Sequence, residues 1–126
     1  MNALRLVPLL LQSARGLEMP EEVAFKNESS MVVVLTSAGY PESYPKGETL
    51  LIPGEIPAGS EIIHAGTLKN EEGEIVTAGG RVLGAVGTGE TLAIAKEKAY
   101  ALCSLIEFPS KFFRNDIGHR EFSRTL

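Results

Sequence analysis

An arginine follows a Gly-Gly pair in the stretch EIVTAGGRVLG, residues 74–84. Arg81 carries a planar, permanently charged donor fork that suits a carboxylate or a phosphate. Gly79 and Gly80 leave the backbone open, so its N–H groups can approach such an anion closely. The same pair suits a two-residue hairpin turn. Taken alone the motif favours the turn, and a turn can also hold an anion site. A second cation, Lys46, closes the stretch GYPESYPKG. There Gly39 permits a left-handed or crowded backbone, and Pro41 stiffens the chain after it. That stretch reads as a surface loop or as a loop that meets an anion.

The other reactive residue types carry less. GTGE at 87–90 precedes a helical pattern but lacks a third spaced glycine and a Lys-Ser/Thr pair, so it reads as a capping turn. His64 stands alone on a strand pattern with His119 far down the chain, which gives no metal-ligand set. Cys103 falls in an apolar helical segment, the setting of a buried and inert thiol. No catalytic residue and no metal ligand is expected from this chain.

These groups must be positioned by a chain of 126 residues, 44% hydrophobic and 22% charged, which suits one domain with its own core. It is too short to hold a large two-substrate enzyme core as well. The net charge of −4 gives no electrostatic reason to bind nucleic acid. A single cysteine excludes an internal disulfide and fits a reducing compartment. The early run LRLVPLLLQSA is far below the ~20 residues of a membrane span and continues into RGLEMPEE without a cleavage pattern. A cytoplasmic location is expected, with no membrane partner.

Leu4, Val7, Leu10 and Leu11 recur at helical spacing, which predicts an amphipathic helix over 3–15 that ends near Gly16 and bends at Pro8. A polar loop follows, with a short strand at VAFK. MVVVLTS (31–37) reads as a buried strand. The Gly- and Pro-rich segment 38–59 is loop around an extended TLLI. SEIIHAGTLKN, EIVT and RVLGAVG then read as three strands joined by two hairpins, at EEG and at Gly79-Gly80. Leu92, Ala95, Ala99, Leu102 and Ile106 share one helical face, with Thr88 or Thr91 as cap. The tail KFFRNDIGHREFSRTL has no clean period.

In this order the pieces VVVLTSAGYPESYPKG, IIHAGT, EIVTAGGRVLG, GETLAIAKEKAYALCSLIEF and FFRNDIGHR closely resemble the C-terminal domain of phosphoribosylamine–glycine ligase (glycinamide ribonucleotide synthetase), an ATP-grasp family of purine synthesis. The resemblance runs from about Leu4 to Arg120. Three positions depart from the family pattern: Ala38 and Glu42 stand where it has glycines, and His119 where it has an aromatic residue. The loop after HAGT is about a residue shorter.

The resemblance implies an ATP-dependent ligase that joins glycine to 5-phosphoribosylamine. ATP and Mg2+ would be bound mainly by the family's upstream ATP-grasp fold, whose signature this sequence lacks, and none by this chain alone. It implies residues 1–30 as the tail of that region and 31–126 as the ligase C-terminal domain, inactive by itself and partnered by the remaining ligase domains. The candidate substrate-binding residues it marks are Gly39, Tyr40, Pro41, Lys46, His64, Gly66, Thr67, Gly79, Gly80 and Arg81. The fold it implies is α+β: an antiparallel sheet of four or five strands from successive hairpins, barrel-sandwich-like. A C-terminal helix packs on one face and an N-terminal helix lies at an edge. The rival readings are the C-terminal domain of another ATP-grasp ligase or carboxylase, and a non-catalytic interaction module.

Overall fold

A computed structural model describes residues 6–124. The first helix, α1, spans Leu6–Ala14. It closes in a glycine cap: Leu17 N donates to Gln12 O at 3.0 Å and Gly16 N to Ser13 O at 3.1 Å, with Gly16 at φ 65°. This double bond at a left-handed glycine satisfies carbonyls that the helix end would orphan. Pro8 lies in the first turn as described, where a missing N–H costs least. The expected apolar face is not the covered one. Leu9 is buried, whereas Val7, Leu10 and Leu11 are exposed, and Leu4 lies outside the described residues. Spacing marks an apolar stripe but cannot say what covers it. No strand forms at VAFK.

Strand β1 spans Ser29–Ser37, β2 Ser60–His64, β3 Thr67–Lys69, β4 Ile75–Thr77, β5 Arg81–Gly89 and β6 Lys111–Phe112. All pairings are antiparallel, and the larger sheet has the order β2-β5-β1-β6. β3 and β4 form a separate two-stranded sheet. The fold is α+β, as the sequence implies, with two corrections. SEIIHAGTLKN is two strands, broken at Ala65-Gly66. Only the turn at EEG makes a hairpin, because Gly79-Gly80 joins strands of different sheets. Neither glycine has a positive φ, which a primed hairpin turn would need.

Helix α2, Leu92–Leu105, covers one face of the larger sheet. Its cap is Thr91, whose Oγ1 accepts from Ile94 N at 3.2 Å. A side chain at Gly87 would overlap the helix backbone at Ala95 and Ala99, so the absence of Cβ there sets how closely α2 approaches β5. Val33, Leu35, Leu83, Ala85, Ala95, Ala99, Leu102, Cys103 and Ile106 are fully buried between the layers. The far end of α2 is held by Lys111, whose Nζ donates to Cys103 O at 3.2 Å, Ile106 O at 2.9 Å and Glu107 Oε1 at 2.8 Å. A lysine there meets orphan carbonyls and the negative end of the helix dipole. Tyr100 ties down the tail: its hydroxyl donates to Arg114 O at 2.8 Å and accepts from Ile117 N at 3.2 Å.

Candidate functional site

The face of the sheet away from α2 lies open. Residues on β1 alternate between buried and exposed, so Met31, Val33 and Leu35 face the helix while Val32 is 48% and Val34 41% exposed. Ile63 on β2 is 52% exposed beside them. The expectation of a buried strand at MVVVLTS therefore holds for one face only. A continuous apolar run is what a strand shows when both faces are covered, and here a single layer covers it.

Arg81 reaches this open side through an irregularity. Counting back along β5 from Ala85 and Leu83, strict alternation would turn residue 81 toward the core. Instead the pairing steps from Leu35↔Leu83 to Thr36↔Arg81, which leaves Val82 as the extra residue of a β-bulge. Val82 is fully buried and Arg81 is exposed, opposite Thr36. Bulges characteristically re-aim a side chain in this way. Arg81 forms no salt bridge among the described residues.

A hollow of about 630 Å³ opens between Arg81 and the apolar face. Gly66, Gly79, Gly80 and Tyr40 line it with Arg81, and Val32, Val34 and Ile63 form its floor. Of the residues that the sequence marks, five therefore come together here. Lys46 does not line the hollow; its Nζ lies 5.7 Å from the centre of the Tyr44 ring, and Tyr44 does line it. Gly39 and Pro41 flank Tyr40; Gly39 has φ 100°, and a side chain there would overlap the Ser43 carbonyl. The Tyr40–Pro41 peptide is cis. His64 and Thr67 do not line the hollow and bond each other, Nδ1 to Oγ1 at 2.9 Å. Tyr44 and the valines of β1 are among the lining residues that sequence reading missed. Tyr44 sits inside the quoted SYPKG, and the valines were visible only as an apolar run.

The glycines here serve backbone crossing. Gly66 N donates to Arg81 O at 2.9 Å and Ala78 N to Gly66 O at 2.8 Å. A Cβ on Gly66 would sit 2.8 Å from the Gly79 Cα and 2.6 Å from the Arg81 carbonyl oxygen. The arrangement can present one guanidinium, without a salt bridge among the described residues, beside a mostly apolar hollow. Among the described residues no group of three His, Cys, Asp or Glu could hold a metal ion, and no helix is long and apolar enough to cross a membrane.

Residues 30–120 match the family model described as phosphoribosylglycinamide synthetase, C domain. The chain is 40% identical over 118 residues to the chloroplastic phosphoribosylamine–glycine ligase of Arabidopsis thaliana, which covers 91% of this chain and 22% of that protein. It is 37% identical over 119 residues to the phosphoribosylamine–glycine ligase of Rhizobium meliloti, covering 94% and 28%. The crystal structure of the Thermotoga maritima phosphoribosylamine–glycine ligase superposes with a TM-score of 0.77 at 38% identity, over 87% of this chain and 26% of that one. The chain thus spans about a quarter of the length of these relatives. With most of its length matched by that model, and its fold shared with the solved ligase, the chain belongs to the family of phosphoribosylglycinamide synthetase C domains.

Proposed function

We propose that this chain acts as the C-terminal domain of a phosphoribosylamine–glycine ligase, and that it forms a wall of the substrate site. The family match across residues 30–120 carries the reading. The relatives named above are ligases of that name, about four times as long. In the reaction, glycine takes the terminal phosphoryl group of ATP to give glycyl phosphate and ADP. The amine of 5-phosphoribosylamine then attacks the glycyl carbon, and phosphate leaves to yield glycinamide ribonucleotide.

On this reading ATP and Mg2+ are bound mainly by the remaining ligase domains; among the described residues no group of three His, Cys, Asp or Glu side chains could hold a metal ion. This chain supplies preorganised positive charge. Arg81, with Lys46 beside Tyr44, faces the phosphate or carboxylate of a substrate, where a fixed guanidinium stabilises charge that develops during transfer. Gly79, Gly80 and Gly66 shape that wall. The unbroken apolar run of β1 supports seating the remaining ligase domains on the open sheet face. The division at residue 30 accords with the start of the family match. A cytoplasmic compartment fits the lone buried thiol, and nucleic acid does not fit a chain of charge −4.

The test is a full-length ligase carrying this segment, supplied with ATP, glycine and phosphoribosylamine. ADP formation that needs both substrates, and that is lost when residues 30–126 are removed, supports the reading. Unaltered turnover without the segment would sink it.

A further inference from the structure

Gly80 is the tightest point of the site, and its neighbour is a side chain. A Cβ built on Gly80 would overlap the Tyr40 ring, with Cε2 at 2.6 Å. The Gly80 backbone has no positive φ, so its own conformation would accept alanine. What excludes a side chain is Tyr40.

The ring is itself held. Tyr40 N donates to Ser37 O at 3.1 Å, and Glu42 N to Gly39 O at 2.9 Å. Tyr44 meets the ring edge-on, with centroids 5.8 Å apart and planes at 62°. Ser37 N also donates to Gly80 O at 2.8 Å, so β1 grips the crossover by its backbone next to the ring. On its other side the crossover rests on Gly66. Residues 78–81 are thus clamped between Gly66 and Tyr40, and Arg81 leaves from the end of the clamped segment. The observed packing of Tyr40 against Gly80 and Tyr44 is made by the ring body.

We propose that Tyr40 is a positioning residue: its ring fills the space that Gly80 leaves and thereby fixes where the Arg81 guanidinium stands. This deepens the functional reading above and rests on it. Tyr40 then acts through Gly80 and Arg81 and does not itself bind substrate.

Two measurements test this. In the 126-residue chain, Gly80→Ala should lower the melting temperature by several degrees. In a Tyr40→Ala background the same substitution should shift it by less than about one degree, because the clash is gone. An equal fall in both backgrounds would overturn the ring-in-glycine fit without touching the ligase reading.

In the full-length ligase, Tyr40→Ala should lower kcat/KM for phosphoribosylamine by at least about tenfold through misplacement of Arg81. Tyr40→Phe, the conservative variant, should rescue that loss. In an Arg81→Ala ligase, Tyr40→Ala should cost nothing further. A Tyr40→Phe enzyme as poor as Tyr40→Ala would mean that the hydroxyl touches substrate, and would overturn the positioning role. Additive losses from Arg81 and Tyr40 would do the same. A ligase inactive before any substitution would remove the functional reading and the positioning role together, while the melting comparison would still decide the packing.

Discussion

At the residue scale the proposed function rests on Arg81, which is charged, exposed and without a salt bridge among the described residues. Arg81→Lys keeps the charge and loses the fork, so the ligase should lose ~3 kcal/mol of transition-state stabilisation. The isolated domain should melt unchanged within about 0.5 kcal/mol, since the residue is exposed. Steady-state kinetics paired with a melting curve checks both halves, and unchanged kcat/KM would return Arg81 to an ordinary surface role. Cys103 behaves oppositely. Burial raises its thiol from 9.0 to about 11, although the nearby Lys111 charge pulls it down. The folded chain therefore holds this proton more tightly than the unfolded one. The resulting stability is fully present below pH 9 and is lost as pH rises toward 11. Denaturant melts of the native chain should show this alkaline fall, and a Cys103→Ala variant a shallower one.

Helix α2 depends on both of its ends and on the face between them. Leu102 is fully buried on that face, so Leu102→Ala should cost about 2–5 kcal/mol through lost transfer energy and the cavity left behind. Lys111 lies outside the helix in sequence yet bonds two carbonyls at its C-terminus, Cys103 O and Ile106 O, along with the Glu107 carboxylate. Its side chain is only 16% exposed, which separates it from an ordinary surface ion pair. Lys111→Met should cost about 1–3 kcal/mol, because the carbonyls lose a charged donor in a partly dry setting. Urea denaturation of each variant measures these effects. A silent Lys111→Met would mean that water replaces the ammonium without penalty.

On the scale of the whole molecule, the open sheet face is the feature least suited to a domain standing alone. Val32, Val34 and Ile63 leave a contiguous apolar surface above Gly84, and such patches mark interaction sites. Val34→Thr preserves strand propensity, so the isolated chain should melt within about 0.5 kcal/mol of the native one. With the remaining ligase domains seated on this face as proposed, the same change in the full-length ligase would place a hydroxyl in that contact and should lower the melting temperature measurably. Equal melting of both ligases would show that this face stays in water. The separate chain should also release no ADP from ATP with magnesium, glycine and phosphoribosylamine present. Production above a mock preparation would contradict the assignment of ATP to the other domains.

Local pattern alone determined much of this protein. The period of Leu92, Ala95, Ala99 and Leu102, the Thr91 cap and the glycine stop at Gly16 are all interactions between residues a few positions apart, and each stands where spacing puts it. The ordered motifs likewise carried the family resemblance and brought Tyr40, Gly66, Gly79, Gly80 and Arg81 forward as candidates. Strand partners are another matter. EIVT and RVLG are neighbours in sequence, yet they join different sheets, and the crossover between them packs against Gly66 and Tyr40. Alternation along β5 would point residue 81 inward, and only the pairing with β1 reveals the extra residue at Val82 that turns Arg81 outward. His64 and Thr67, also candidates, bond each other and lie outside the lining of the hollow. Sequence thus determined the helices and their caps, which rest on short-range periodicity, and it carried the family resemblance that named the candidates. Tertiary structure decided register, the open face and the aim of Arg81, because each depends on backbone contacts between segments far apart in the chain.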